Sequence, residues 1–368
     1  MTTRLLPDGE IGAMSDTESA PKTPNENEAA RKPPLRFVAP ASDYAAIRLH
    51  AAVADRSVRS RGTFAGPKSA DVLTGLVTND ILALTPGYGA YAAALTPKGK
   101  IIADVRVFAR QSDFFVDVPP RAAAGFWSMV RKFVNPRLSR FDDISSHVSE
   151  LAVLGPKSVD TLRRALGEES AAVESLSIFG SLELETPHGA LTIARVPDFG
   201  VESFALWMPS DARETLLAAL VREGAHEVGA STLEVARIEA GRPEWGIEMD
   251  DSTIPQEANF DELQAISYTK GCYTGQETVA RVHFRGHVNR YLRGLRLSSD
   301  DTLPTRATLH DAEGKSVGDV RSVATSPRLG GIGLGMVRRE VELESELMAR
   351  WDGGEQAVRV TTLPFPGA

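Results

Sequence analysis

Cys272 is the only cysteine among 368 residues, and it stands in SYTKGCYTGQETVARVHFRG, residues 267–286. Gly271 and Gly275 flank it, and glycine lets backbone approach a ligand closely or take a positive φ. Lys270 lies two residues ahead, where its charge is expected to lower the thiol pKa and favour the reactive thiolate. Tyr273 offers a ring for stacking. Gln276 and Glu277 offer polar groups that can pair with the edge of a heterocycle. A small buried cysteine is the common alternative, and the polar, glycine-rich neighbourhood argues against it. Cys272 with His283 and His287 matches no zinc spacing, so no metal site is expected.

A second set of residues could bind rather than react. Asp104 in GKIIADVRVF alternates with apolar residues along an expected strand, sharing a face with Ile102, Arg106 and Phe108. An acid on such a mixed face points toward a cleft. Glu202 in FGVESFAL and Arg237 in VARIEAG are single candidates of the same kind. Residues 281–296, RVHFRGHVNRYLRGLR, carry five arginines, two histidines and no acid. That run is either a solvated basic face or a landing site for an anionic ligand or partner. GGIGLG at 330–335 is not read as a nucleotide loop, because turn residues precede it and no helix follows.

The elements that must position these residues are legible in outline. Length predicts two or three domains. A net charge of −8 gives no reason to expect direct nucleic-acid binding. No apolar run approaches the roughly 20 residues that span a bilayer, so no membrane is expected. The N-terminus lacks the apolar core of a signal peptide, and one cysteine forms no internal disulfide; both point to the cytoplasm. Residues 1–35 read as a disordered tail, with Met14 an alternative start. A helix is expected after a Ser42-Asp43 cap, then strand, turn and helix through GTFAGPKSADVL, then three strands through residue 118. GPKSADVL (66–73) recurs as GPKSVDTL (155–162), which predicts two related α+β units with FVNPRLSRFDDIS (133–145), a helix end and linker, between them. Short strands with frequent glycine turns after residue 289 suit a small antiparallel barrel.

Taken together, these stretches resemble the folate-binding proteins around the glycine-cleavage T-protein, and within them the YgfZ type. KGCYTGQE is similar to the YgfZ signature. LTGLVTNDILALTPG, ARIEAGRPEWGIEMDDSTIPQEANFD and VGDVRSVATSPRLGGIGLGMVRRE are similar to segments shared across the superfamily. The resemblance implies an α+β fold of three pieces around a central hole for tetrahydrofolate. The expected pieces are 36–145 with 226–288 as the central domain, 146–225 as a second α+β domain, and 289–368 as the barrel. It implies that Asp104, Glu202, Arg237, Lys270, Gly271, Tyr273, Gly275, Gln276 and Glu277 bind the folate, and that the Cys272 thiol borders it. It also implies a role in assembling or repairing iron-sulfur proteins, tRNA-modifying enzymes among them, with client or assembly proteins as partners. Cys272 would then be a nucleophile, a redox group or a transient cluster ligand. Departures from the T-protein put its aminomethyl transfer in doubt. The T-protein has two adjacent aspartates where this chain reads Ala103-Asp104, and its GEDG segment reads GVES here. An aminomethyltransferase or other one-carbon transferase, and a folate-gated binding module without chemistry, remain the alternatives.

Overall fold

The computed structural model describes residues 36–298 and 303–367, so the expected tail lies outside the described residues. The chain opens with β1 (Arg36–Val38), α1 (Ala41–Leu49), β2 (Ala52–Asp55), β3 (Ser60–Ala65), α2 (Ser69–Leu76), β4 (Gly89–Leu95), β5 (Ile101–Ala109), β6 (Phe114–Val118), α3 (Pro120–Phe133) and β7 (Arg140–Asp143). It continues with β8 (Val148–Leu154), α4 (Ser158–Leu166), β9 (Ser181–Thr186), β10 (Gly189–Arg195), β11 (Ser203–Pro209), α5 (Arg213–Arg222), β12 (His226–Glu227) and α6 (Ala230–Glu239). Then come α7 (Gln276–Arg285), β13 (Arg290–Leu297), β14 (Thr308–His310), β15 (Ser316–Ser326), β16 (Gly330–Arg338), β17 (Glu346–Trp351) and β18 (Gly354–Thr361).

Three sheets result. A five-stranded sheet runs β4-β5-β6-β3-β7, and a six-stranded sheet runs β12-β2-β8-β11-β10-β9. The third closes on itself in the order β15-β14-β17-β18-β13-β16, a six-stranded barrel to which β1 adds in parallel on β15. Closure removes the open edges that a free sheet would expose. The fold is thus α+β with a C-terminal barrel, as the strand and turn pattern predicts. Alternation explains the layers. One face of the five-stranded sheet buries Phe64, Val105, Val107 and Val116 under Phe126 and Val130 of α3. One face of the six-stranded sheet buries Leu151, Val153 and Leu206 under Leu162 of α4 and Leu216 of α5. The two sheets meet through Phe108, Phe115 and Trp207, whose rings lie 4.8–5.0 Å apart.

The repeated GPKS turns are structural equivalents. Gly66 and Gly155 take φ of 139° and 108°, and in each turn a serine three residues on bonds back to the glycine carbonyl. Each turn carries the chain from a strand into a helix. At Gly155 a Cβ would stand 2.5 Å from the His50 carbonyl oxygen, so only glycine fits.

Several details differ from the sequence reading. β2 and β12, expected in the central unit, pair within the six-stranded sheet. The interdomain stretch holds the expected helix end, α3 stopping at Phe133, but β7 also forms there as an edge strand. Ser42 and Asp43 lie inside α1 rather than capping it, and Asp43 instead accepts from His226 and Thr232. A bulge between Ala94 and Leu95 turns Ile102 away from Asp104's face and onto the α3 side. Half of the cysteine stretch is helix: α7 begins at Gln276, directly after Gly275 in the left-handed region.

Candidate functional site

A cavity of about 560 Å³ opens where β5, the β2–β3 turn, α6 and the segment after α6 converge. Its wall is built from the strand register. Arg106 on β5 stands opposite Asp117 on β6, which stands opposite Arg61 on β3. Arg59 donates to both oxygens of Asp117 at 2.8 and 3.1 Å, and Arg106 Nε reaches the same carboxylate at 3.1 Å. Arg61 continues to Glu150 at 2.7 Å, and Arg56 and Arg106 both reach Asp198, at 2.8 and 3.3 Å. Burial alone would raise the Asp117 carboxyl, but Arg59, Arg106 and Arg61 hold it well below the usual range. Arg106 and Arg56 do the same for Asp198 against the same opposing burial.

Asp104 lines this cavity and lacks such support. Its Oδ2 accepts from Tyr91 at 3.1 Å, while Oδ1 is buried without a hydrogen-bond partner. Burial pushes its carboxyl up to about 6, against the pull of Arg59. The rings of Tyr91 and Phe179 lie nearly parallel beside it, 6.4 Å apart, and both line the cavity. Arg237 also lines it, but its donors go to Glu234, Glu248 and the Arg242 carbonyl oxygen. Arg237 therefore braces α6 against the following segment. Sequence reasoning missed Tyr91, Arg59, Asp117 and Asp198. Asp117 in FFVDV carried the same signal as Asp104, an acid alternating with apolar residues. The others are polar residues in strands or loops with no spacing signal.

The other expected site residues lie elsewhere. Glu202 pairs with Arg195 at 2.9 Å and does not line the cavity. None of Lys270, Gly271, Cys272, Tyr273, Gly275, Gln276 and Glu277 lines it either. Lys270 donates to the carbonyls of Thr74, Val77 and Asn79, and so finishes α2, whose last carbonyls have no helical partner. Its charge serves that helix end rather than the thiol, and burial brings the amine down to about 8. Tyr273 is buried against Ala93, Leu95 and Ile101, with Lys270 4.6 Å from its ring centre, so that ring is not free for a ligand. Gln276 accepts from the Tyr273 amide at 3.2 Å, and Glu277 is exposed. Gly275, at φ 83°, is needed because a Cβ would stand 2.6 Å from the Thr96 carbonyl oxygen; Gly271 has open space around it. The close approach is thus to the β4–β5 turn and not to a ligand. Cys272 itself is a free, exposed thiol.

The basic run divides. Arg290 pairs with Glu257, Arg293 lies 4.5 Å from the Tyr291 ring centre and Arg296 reaches the Pro366 carbonyl. Arg281, His283, Phe284, Arg285 and His287 are exposed on and after α7. Among the described residues no group of three or more His, Cys, Asp or Glu side chains is placed to hold a metal, and no helix is long and apolar enough to cross a membrane.

Comparison with known proteins places this architecture. The family model for the GCVT N-terminal domain matches residues 22–267, and that for the glycine cleavage T-protein C-terminal barrel domain matches 290–366. Cys272 lies in the segment between the two matches. An aminomethyltransferase of Nostoc sp. is 27% identical over 303 residues, covering 81% of this chain and 79% of its own. An aminomethyltransferase of Synechococcus sp. is 28% identical over 335 residues, covering 90% and 91%. The crystal structure of the glycine cleavage system aminomethyltransferase T from Bartonella henselae shares the fold, with a TM-score of 0.78 at 22% identity over 88% of each chain. The first of these matches alone spans most of the sequence, the second accounts for the barrel, and the chain belongs to the aminomethyltransferase-like family of the glycine cleavage T-protein.

Proposed function

We propose that this protein binds a reduced folate in the cavity and uses Cys272, outside it, to support iron-sulfur proteins as a YgfZ-type member of the family. The lining residues fit a folate. The cavity volume lies within the roughly 300–1,000 Å³ of small-molecule sites. Tyr91 and Phe179 offer flat apolar faces to a pteridine, and the unpartnered Asp104 Oδ1 is an acceptor or, protonated, a donor for its polar edge. A folate bound there would supply a one-carbon carrier. The chain's own residues position it and keep water from its ring.

The observation that carries the iron-sulfur half of the reading is the exposure of Cys272 on a loop pinned at both sides, by Lys270 to α2 and by Gly275 to the β4–β5 turn. A thiol held outward and apart from the cavity suits chemistry on a partner protein. The geometry leaves three roles open to that thiol: nucleophile, redox group and transient cluster ligand.

A second reading, folate-dependent aminomethyl transfer, is favoured by one observation. Ala103 is fully buried in the apolar cluster under α3, facing away from the cavity. The acid this chain retains, Asp104, is the one that faces the cavity, so the missing aspartate removes no carboxylate from it. The test is complementation of cells lacking the protein by wild type and Cys272→Ala, with iron-sulfur enzyme activity as the readout. Cys272→Ala is expected to lose support while the purified variant binds tetrahydrofolate in calorimetry as wild type does. Its stability should stay within about 0.5 kcal/mol of wild type, as at other exposed sites. Full complementation removes the iron-sulfur reading. Methylenetetrahydrofolate formation from aminomethylated carrier protein establishes the second.

A further inference from the structure

Charge does not balance along the inner wall of the cavity. Arg56, Arg59, Arg61 and Arg106 share Asp117, Glu150 and Asp198, four guanidiniums on three carboxylates. Two donors of this set lack a hydrogen bond: Arg61 Nε, which faces Asp117 at 3.7 Å, and one on Arg106. Arg106 is 3% exposed and lines the cavity, and its Nη1 has no hydrogen-bond partner. A buried unpaired donor is costly unless something fills its hydrogen-bonding capacity.

Arg242, in the segment after α6, lines the same cavity. Among the described residues its guanidinium makes no hydrogen bond or ion pair. Burial draws Arg242 below the usual arginine range. Asp198 and Tyr91 oppose that shift, and repulsion from Arg106 adds to it. The two guanidiniums therefore sense each other within one cavity. Asp104 is the single carboxylate there without an arginine contact, and it is occupied on one oxygen by Tyr91.

We propose that this wall is a subsite for a carboxylate-sized oxyanion, held by Nη1 of Arg106 and the guanidinium of Arg242. Arginine suits that task because its planar fork matches the two oxygens of a carboxylate, and charge-assisted bonds of this kind are among the stronger ones. The subsite shares its cavity with the folate reading but rests on different residues. It disfavours a cationic group at this end of the cavity. The oxyanion has two sources: the folate's own glutamate carboxylate, or a separate small monocarboxylate bound beside the folate.

The experiment is calorimetric titration of the full-length protein at constant ionic strength with acetate, with tetrahydrofolate, and with tetrahydropterin, the reduced ring without its carboxylate-bearing tail. Wild type should bind acetate saturably, and Arg242→Gln should weaken that binding about tenfold or more. Arg106→Gln should weaken it too, but it deprives Asp117 and Asp198 of a partner. Arg242→Gln, which breaks no ion pair, therefore carries the test, with its melting temperature checked against wild type. Acetate that competes with tetrahydrofolate and not with tetrahydropterin marks the folate tail as the occupant. Acetate that binds alongside both marks a separate co-ligand. Either result supports the subsite. Absence of saturable acetate binding to wild type, or equal binding by Arg242→Gln, overturns it. Tetrahydropterin reads the folate proposal independently: no pterin binding with acetate binding intact removes the folate reading and leaves the subsite.

Discussion

At one end of the five-stranded sheet, Arg59, Arg61 and Arg106 converge on a fully buried Asp117. Toward the other, Tyr273 is buried among Ala93, Leu95 and Ile101, and Lys270 finishes α2 through three carbonyls. Both regions use the same face of the sheet. Ala93, which packs against the Tyr273 cluster, stands directly opposite Asp104, and residues so paired share a face. Tyr91 and Phe260, 5.2 Å apart, lie between the two. The cavity wall is a buried charge network in which each member depends on the others. The cysteine loop hangs on three local anchors and leaves its thiol outside. A network of paired charges fails steeply when one member is lost, because the remaining charges stay buried. A loop held by a few contacts loses only what the altered residue contributed.

The largest effect is therefore expected at Asp117. Asp117→Asn leaves Arg59, Arg61 and Arg106 short of their shared counter-charge and should destabilise by about 3–5 kcal/mol. Chemical denaturation measures it. A cost below about 1 kcal/mol would erase the distinction between the two regions.

Asp104 sharpens the comparison through pH. Burial raises its carboxyl to about 6 from the ordinary 3.8, so the folded state favours the protonated form. The stabilisation is full below the ordinary value and is lost as pH rises through about 6. Relative to Asp104→Asn, wild type should lose up to about 3 kcal/mol of stability between pH 4 and pH 7. Parallel stability curves for the two proteins would show that Asp104 is not held in a desolvated site.

The smallest effects lie within the loop, and they should differ between its two glycines. Gly275→Ala forces a left-handed residue and a Cβ 2.6 Å from the Thr96 carbonyl oxygen, so a loss of about 1–3 kcal/mol is expected. Gly271→Ala meets nothing within 4 Å and should change stability by no more than about 0.5 kcal/mol. Melting temperatures of the pair decide it. Equal shifts would mean that the loop is not pinned at Gly275.

Much of this architecture was legible in the residues. The period-2 alternation through β4, β5 and β6 marked the strands, because a half-buried strand must present apolar side chains on one side. The repeated GPKS turns announced two related units, since a glycine at φ above 100° followed by proline ends a strand and starts a helix. Asp104 was found by the same logic, as a polar residue out of place in an apolar strand.

Local sequence could not decide which residues share a space. Whether Cys272 and Asp104 border one site depends on how α7 and the segment before it lie across β4 and β5. Gly275 and the single bulge at Ala94–Leu95 set that path. The arginines of the cavity wall come from the β2–β3 turn, β3, β5 and the segment after α6, and no spacing links them. Residue types and periodicity thus determined the elements, the α+β class, the barrel and two residues that line the cavity, because those follow from side-chain direction along one element. The partners of each charge, the separation of the thiol from the cavity and the surplus of arginine on its wall were decided only by tertiary structure, because they depend on which distant strands and loops register against one another.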